Sequence, residues 1–389
     1  MKKTLLLIVI YLAFISLGLP DSLLGSAWPS MYKALQAPAY FAGIISMIVA
    51  GGTVVSSLFS AKLIRRFGVP AITTFSVFLT AMALLGFSFS QHFIFLCLLA
   101  VPLGLGAGCV DAALNNYVAL HYAARHMNWL HCFWGVGAAI GPVIMARYLA
   151  LGKSWTSGYF TVGWIQIGLV IILLLSLPLW VKKSAKSADG EEHADAASFK
   201  TLIKIPGLKH ALIIFFCYCT IEATFGLWGA SYLVFVRNFK TDDAARLVSL
   251  YYAGITVGRF ISGLMTARLN NRQLVYTGQG IILLGIIVLM LPYNELLLPG
   301  FFLIGLGCAP IFPSLLHETP RNFDEKHSQA IMGIQMASAY VGITLMPLMF
   351  GKLASFTGYS ALLVFLAVVL ALMVWMTARL NGKVGEFKP

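Results

Sequence analysis

Long apolar stretches dominate this chain, and they restrict its fold more than any motif does. Twelve can be marked, at 4–32, 39–61, 70–89, 93–120, 128–150, 158–181, 208–236, 245–267, 272–292, 296–316, 328–350 and 358–379. A helix of about 20 apolar residues crosses the hydrocarbon core of a bilayer. It also bonds all its backbone N–H and C=O groups internally, which lipid requires. Charged residues make up only 11% of the 389, against 59% apolar, and mean hydropathy is +0.85. A soluble domain carries roughly a quarter charged residues. The expected class is therefore an all-α, multi-pass membrane protein with twelve transmembrane helices.

A net charge of +13 invites a nucleic-acid reading, but the basic residues are scattered over short loops with no compact basic domain. That distribution excludes a nucleic-acid partner and follows the positive-inside bias of membrane proteins. With the N-terminus in the cytoplasm, 19 of the 27 Lys and Arg fall in inner loops and tails and 7 at the outer ends, while Arg259 lies inside span 8. Both termini are expected to be cytoplasmic, in an inner or plasma membrane. Lys2-Lys3 followed by Thr4 to Leu19 looks like a signal peptide, with Gly25-Ser26-Ala27 as a cleavage site. The many later spans favour an uncleaved first helix.

Residues 182–207 are polar, charged and Ala/Ser-rich. They read as a cytoplasmic linker between an N-terminal six-helix bundle, 1–181, and a C-terminal one, 208–389. Phe199 to Ile205 suits a short amphipathic stretch on the membrane surface. The halves echo each other at an offset of about 200. Ala61 to Gly68 after span 2 matches Gly263 to Asn270 after span 8. Gly104-Leu-Gly106 matches Gly305-Leu-Gly307, and Val136-Gly137 to Pro142 matches Val341-Gly342 to Pro347. Three echoes in one order argue for duplication, a common origin of transporters.

Of fourteen acids, only Asp21, Asp111 and Glu222 fall inside the spans, and Arg259 is the one base well inside. Such groups must be paired, neutralised or hydrated, so they are the first functional candidates. Asp111 and Asn115 share a helix face, with Asn116 next to them. A carboxyl that meets water and a closed cavity in turn can carry a proton; the other reading is an Asp fixed to Asn128 or His131 of span 5. Asp21, Gly25 and Trp28 line one face of span 1. An acid with an indole suits a sugar, although Pro20-Asp21 also suits a helix break. Glu222, Gly226 and Gly229 make a similar face on span 7, beside Trp228. Arg259 either neutralises an acid such as Glu222 or snorkels. His131 and Trp134 lie a turn apart on span 5. Gln335 and Tyr340 on span 11, Gln166 and Gln279 suit hydroxyl groups or packing. The glycines of 104–108 and 135–141 suit close helix approach. The six cysteines all sit in apolar stretches as packing residues, and no metal site, phosphate loop or catalytic triad is present. The chain reads as no enzyme.

Six plus six spans, a basic central loop and repeated loop motifs resemble the major facilitator superfamily. The loop Leu63-Ile64-Arg65-Arg66-Phe67-Gly68 keeps the Leu, Arg and Gly of that family's motif, with Arg65 in place of its acid; Arg268 stands in the second copy. Asp111-Ala-Ala-Leu-Asn115-Asn116 and Met127-Asn128 to Pro142 resemble the fucose–galactose–hexose proton symporters and the related glucose-transporter group, with Asp where Glu is usual. The resemblance implies uptake of a neutral sugar with H+ by alternating access. Asp111, Asp21 and Glu222 would couple the ion. Trp28, Asn115, Asn116, Asn128, His131, Trp134, Trp228, Gln335 and Tyr340 would meet substrate. No cofactor is implied beyond the coupling ion, H+ or Na+, and a monomer in the lipid bilayer is expected. Proton-driven efflux of drugs or metabolites, a sodium-coupled sugar symporter, and a sensor or lipid scramblase on the same fold are the alternatives.

Overall fold

The computed structural model describes residues 2–122, 124–180, 202–266, 268–323 and 325–385. Twelve described helices are long and apolar enough to cross a membrane. Spans 1 to 6 are Lys3–Ala34, Ala39–Phe67, Val69–Phe89, Phe93–Val118, Trp129–Ala150 and Trp155–Leu179. Spans 7 to 12 are Leu208–Val236, Thr241–Met265, Asn271–Met290, Asn294–Phe323, Ala330–Thr357 and Ala361–Lys383. No strand occurs among the described residues. Most of the expected linker, through residue 201, lies outside them; residues 202–207 turn into span 7 with Leu202 buried.

Several helices outrun their expected ends. Span 2 continues to Phe67 because Lys62, Arg65 and Arg66 are good helix formers whose charge suits a helix C-terminus. Gly68 stops it at φ +82, a left-handed conformation that favours glycine. Span 10 continues as the helix Ile311–Phe323, well past residue 316. This corrects the placement of Glu318 outside the spans: it is a buried helical residue. Its helix is strongly amphipathic, so the polar run that ended the apolar count did not end the helix.

Span 1 is broken at Ser22 into helices Lys2–Asp21 and Leu23–Ala34. Pro20 has no N–H, so the carbonyl of Ser16 loses its usual donor. The side-chain amide of Gln166, from span 6, donates to that carbonyl instead. Asp21 therefore closes a helix segment in mid-span.

The repeat is visible in the packing. A Cβ added at Gly104 of span 4 would lie 2.2 Å from the Val49 carbonyl oxygen of span 2; one added at Gly305 of span 10 would lie 1.9 Å from that of Tyr251 in span 8. Gly106 meets Ser76 of span 3 as Gly307 meets Gly278 of span 9. Only glycine permits such backbone approach. The result is two pseudo-symmetric six-helix bundles. Their outer surfaces carry exposed Leu58, Leu175 and Phe356 among many other apolar side chains, the surface that lipid solvates.

The halves meet where span 5 lies on span 8, span 2 on span 11 and span 1 on span 7. At the last of these, a Cβ on Gly25 would stand 2.3 Å from the Gly226 carbonyl oxygen. Gly25 and Gly226 are repeat equivalents, so the pseudo-twofold axis passes between them. The halves touch at the end of the bundle away from the termini. Tyr32 meets Phe235 edge to face at 5.5 Å, Phe235 stacks on Tyr359 at 4.8 Å, and Lys352 lies over Tyr40 at 4.9 Å.

Candidate functional site

One helical turn before Gly25 and Gly226 stand Asp21 and Glu222, which are also repeat equivalents. Each is held by a side chain from another span of its own half. The indole N–H of Trp134 in span 5 donates to Asp21 Oδ2 at 2.8 Å. Arg259 of span 8 reaches Glu222 at 3.8 Å, with roughly a fifth of each side chain accessible, 18% and 21%. The two sets touch: the Arg259 guanidinium lies 4.9 Å from the Trp134 ring centre and donates to the His131 carbonyl oxygen at 3.3 Å. Tyr251 donates to the Glu222 backbone oxygen at 3.0 Å, and Tyr252 meets Trp134 edge-on at 6.4 Å.

Asp111 occupies the other wall. Asn115 Nδ2 donates to Asp111 Oδ1 at 2.9 Å, and the Asn115 side-chain oxygen is buried with no donor among the described residues. Tyr340 of span 11 lies beside Ser57 and within electrostatic reach of Asp111; Asp21 is within reach of both Asp111 and Glu222. Asp21, Asn116 and His131 keep exposed surface although they belong to spans. The site is thus an intramembrane cluster of three carboxylates and one guanidinium.

Other candidates are used elsewhere. Trp28 and Trp228 are fully buried, and their indoles donate to the carbonyls of Ala39 and Pro347. Buried Gln335 accepts from Thr319 at 2.9 Å, tying span 11 to span 10, and Gln279 donates to Thr377 of span 12 at 2.8 Å. The structure brings none of these four to the cluster. His131 faces Phe14 edge to face at 6.0 Å. The side chain of Asn128 lies outside the described residues. Arg65, Arg66 and Arg268 are exposed at the end with the termini. Buried Glu318 forms ion pairs there with Arg272 at 3.9 Å and Arg321 at 3.7 Å, and accepts from Asn271 at 3.0 Å. No group of His, Cys, Asp and Glu suited to a metal occurs among the described residues.

Sequence reasoning missed Tyr251, Tyr252 and Glu318. The two tyrosines sit in an ordinary apolar run, and only the crossings of span 8 with span 7 and with span 5 aim them at Glu222 and Trp134.

The model of the Major Facilitator Superfamily matches residues 10–292 and 242–384. The chain belongs to the Major Facilitator Superfamily. Among facilitator relatives, the glucose/mannose transporter GlcP of Bacillus subtilis is 23% identical over 354 residues, 88% of this chain and 86% of its own length. Bypass of stop codon protein 6 of Saccharomyces cerevisiae is 21% identical over 396 residues, 93% of this chain and 80% of its own. In fold, the chain is similar to the nucleoside transporter NupG, with a TM-score of 0.78 at 13% identity over 98% and 99% of the two chains. It is also similar to a D-xylose–proton symporter, with 0.74 at 11% identity over 97% of each. The chain is a facilitator-type transporter and not an enzyme.

Proposed function

We propose that the protein takes up a neutral sugar together with a proton, with both termini on the cytoplasmic side of an inner or plasma membrane. The observation that carries this reading is the charge balance of the cluster: among the described residues, Asp21, Asp111 and Glu222 share a single cation, Arg259. Glu222 is matched by Arg259, whereas among the described residues Asp111 and Asp21 are held by the neutral donors Asn115 and Trp134. While the cavity is open, water hydrates those two carboxylates. Closing it moves them into a low-dielectric interior, where an unpaired charge costs several kcal/mol. Protonation removes that cost, so closure and proton uptake are linked. An excess of carboxylates also disfavours an anionic substrate. Acceptors such as the unpartnered Asn115 oxygen suit hydroxyl groups, and the similarity to a glucose/mannose transporter supports a hexose. The excess of Lys and Arg on the side of the termini supports the orientation.

Asp111→Asn tests the reading, since it nearly keeps the side-chain shape but cannot titrate. In liposomes at fixed sodium, the variant should exchange hexose by counterflow yet lose accumulation driven by a pH gradient. Gradient-driven accumulation by the variant would remove Asp111 from the coupling role and leave Asp21. Uptake by the native protein that follows a sodium gradient and ignores pH would replace the proton with sodium.

A further inference from the structure

Among the described residues, Trp134 touches a charged group of each half. Its N–H is bonded to Asp21 of the first half at 2.8 Å, and its face carries Arg259 of the second half at 4.9 Å. Arg259 in turn holds Glu222 at 3.8 Å. Four spans (1, 5, 8 and 7) are thereby joined in sequence around the axis where Gly25 meets Gly226. The next residue along span 5, Gly135, marks a close approach to span 8: an added Cβ would lie 2.3 Å from Thr256 Oγ1.

We propose that Trp134 is a positioning residue that transmits the charge state of Asp21 across the span 5–span 8 interface to the Arg259–Glu222 pair. This rests on the proton-coupled reading above. With Asp21 ionised, the charge-assisted hydrogen bond fixes the indole, and the fixed ring face stations the guanidinium. With Asp21 protonated, that bond weakens, the ring gains freedom, and Arg259 loses one of its three holds; the Glu222 carboxylate and the His131 carbonyl remain. The interface helices are then free to shift. Because Trp134 has no free N–H and its face is occupied, it acts on transport through its neighbours and not as a substrate contact in this state. The titratable and charged groups around Asp21 are Asp111 of span 4, Glu222 of span 7 and Tyr252 of span 8. Arg259 lies beyond the indole, and His131 is one turn away on span 5.

The test is indole emission against pH for the full-length protein in liposomes. Subtracting the Trp134→Phe spectrum from the native spectrum isolates Trp134. A pH-dependent step should appear in that difference, remain in Asp111→Asn and vanish in Asp21→Asn. No step, or a step that survives Asp21→Asn, overturns the proposal. If Trp134→Phe cannot be recovered folded, total emission of the native protein against Asp21→Asn decides alone, and identical pH dependence overturns it. In transport, Trp134→Phe should lower the ratio of pH-driven accumulation to counterflow exchange about tenfold, the scale of one charge-assisted hydrogen bond. An unchanged ratio counts against the proposal. A native protein that shows the emission step but accumulates no hexose upholds the relay and overturns the sugar reading.

Discussion

The Arg259–Glu222 contact gives a stability prediction with a definite size. At 3.8 Å and an effective dielectric of about 20, two unit charges attract by about 4 kcal/mol. Each side chain keeps about a fifth of its surface, so solvent screening and desolvation reduce the net value to about 1–2 kcal/mol. Arg259 also holds the Trp134 face, worth about 0.5–2 kcal/mol, and a long bond to the His131 carbonyl, worth about 1 kcal/mol. Glu222→Gln should therefore cost about 1–2 kcal/mol. Arg259→Ala should cost about 3–4 kcal/mol, since it loses all three contacts and strands a carboxylate. A double-mutant cycle, read by equilibrium unfolding in mixed micelles, should return a coupling of about 1–2 kcal/mol. A coupling below about 0.3 kcal/mol would refute the pairing and leave Arg259 a snorkelling side chain, whereas equal costs for the two single variants would refute the added contacts of Arg259 with Trp134 and His131.

Two further outcomes follow from backbone geometry. Gln166→Leu leaves the Ser16 carbonyl, already deprived of a donor by Pro20, buried and unbonded; the same unfolding assay should show a loss of about 1–3 kcal/mol, and native stability would mean the break in span 1 needs no support. Gly25→Ala puts a methyl group 2.3 Å from the Gly226 oxygen and should hold spans 1 and 7 apart. In a cysteine-less background, a cysteine at Ser30 should then react faster with a membrane-impermeant thiol reagent added at the end away from the termini; an unchanged rate would show that the contact at that end does not depend on this crossing.

The legible part of the site is the part that lipid makes costly. Asp21, Asp111, Glu222 and Arg259 stand out in the sequence because a charge in an apolar run has few structural excuses, and the structure gathers all four in one cluster. Glycine spacing was legible for a similar reason, since Gly104, Gly106, Gly305 and Gly307 have no role in an isolated helix that alanine would not fill better. Trp28, Trp228 and Gln335 were not legible. An aromatic or amide on a helix face looks the same whether it faces a cavity or a neighbour's carbonyl, and these three face carbonyls or a hydroxyl. Glu318 was hidden by polarity: the run around it resembles a loop, while its amphipathic helix turns the carboxylate inward to Arg272 and Arg321.

The sequence by itself determined the helical class, the number of spans, the duplication and the short list of intramembrane charges. All of these follow from local transfer free energies, which depend on residue type and spacing alone. Tertiary structure decided the pairings. Whether Arg259 meets Glu222, and whether Trp134 binds Asp21 or a substrate, depends on which helices cross and at what height. Those crossings are set by close contacts such as Gly25 on Gly226 and Gly135 on Thr256, between residues far apart in the chain whose separate sequences carry no sign of each other.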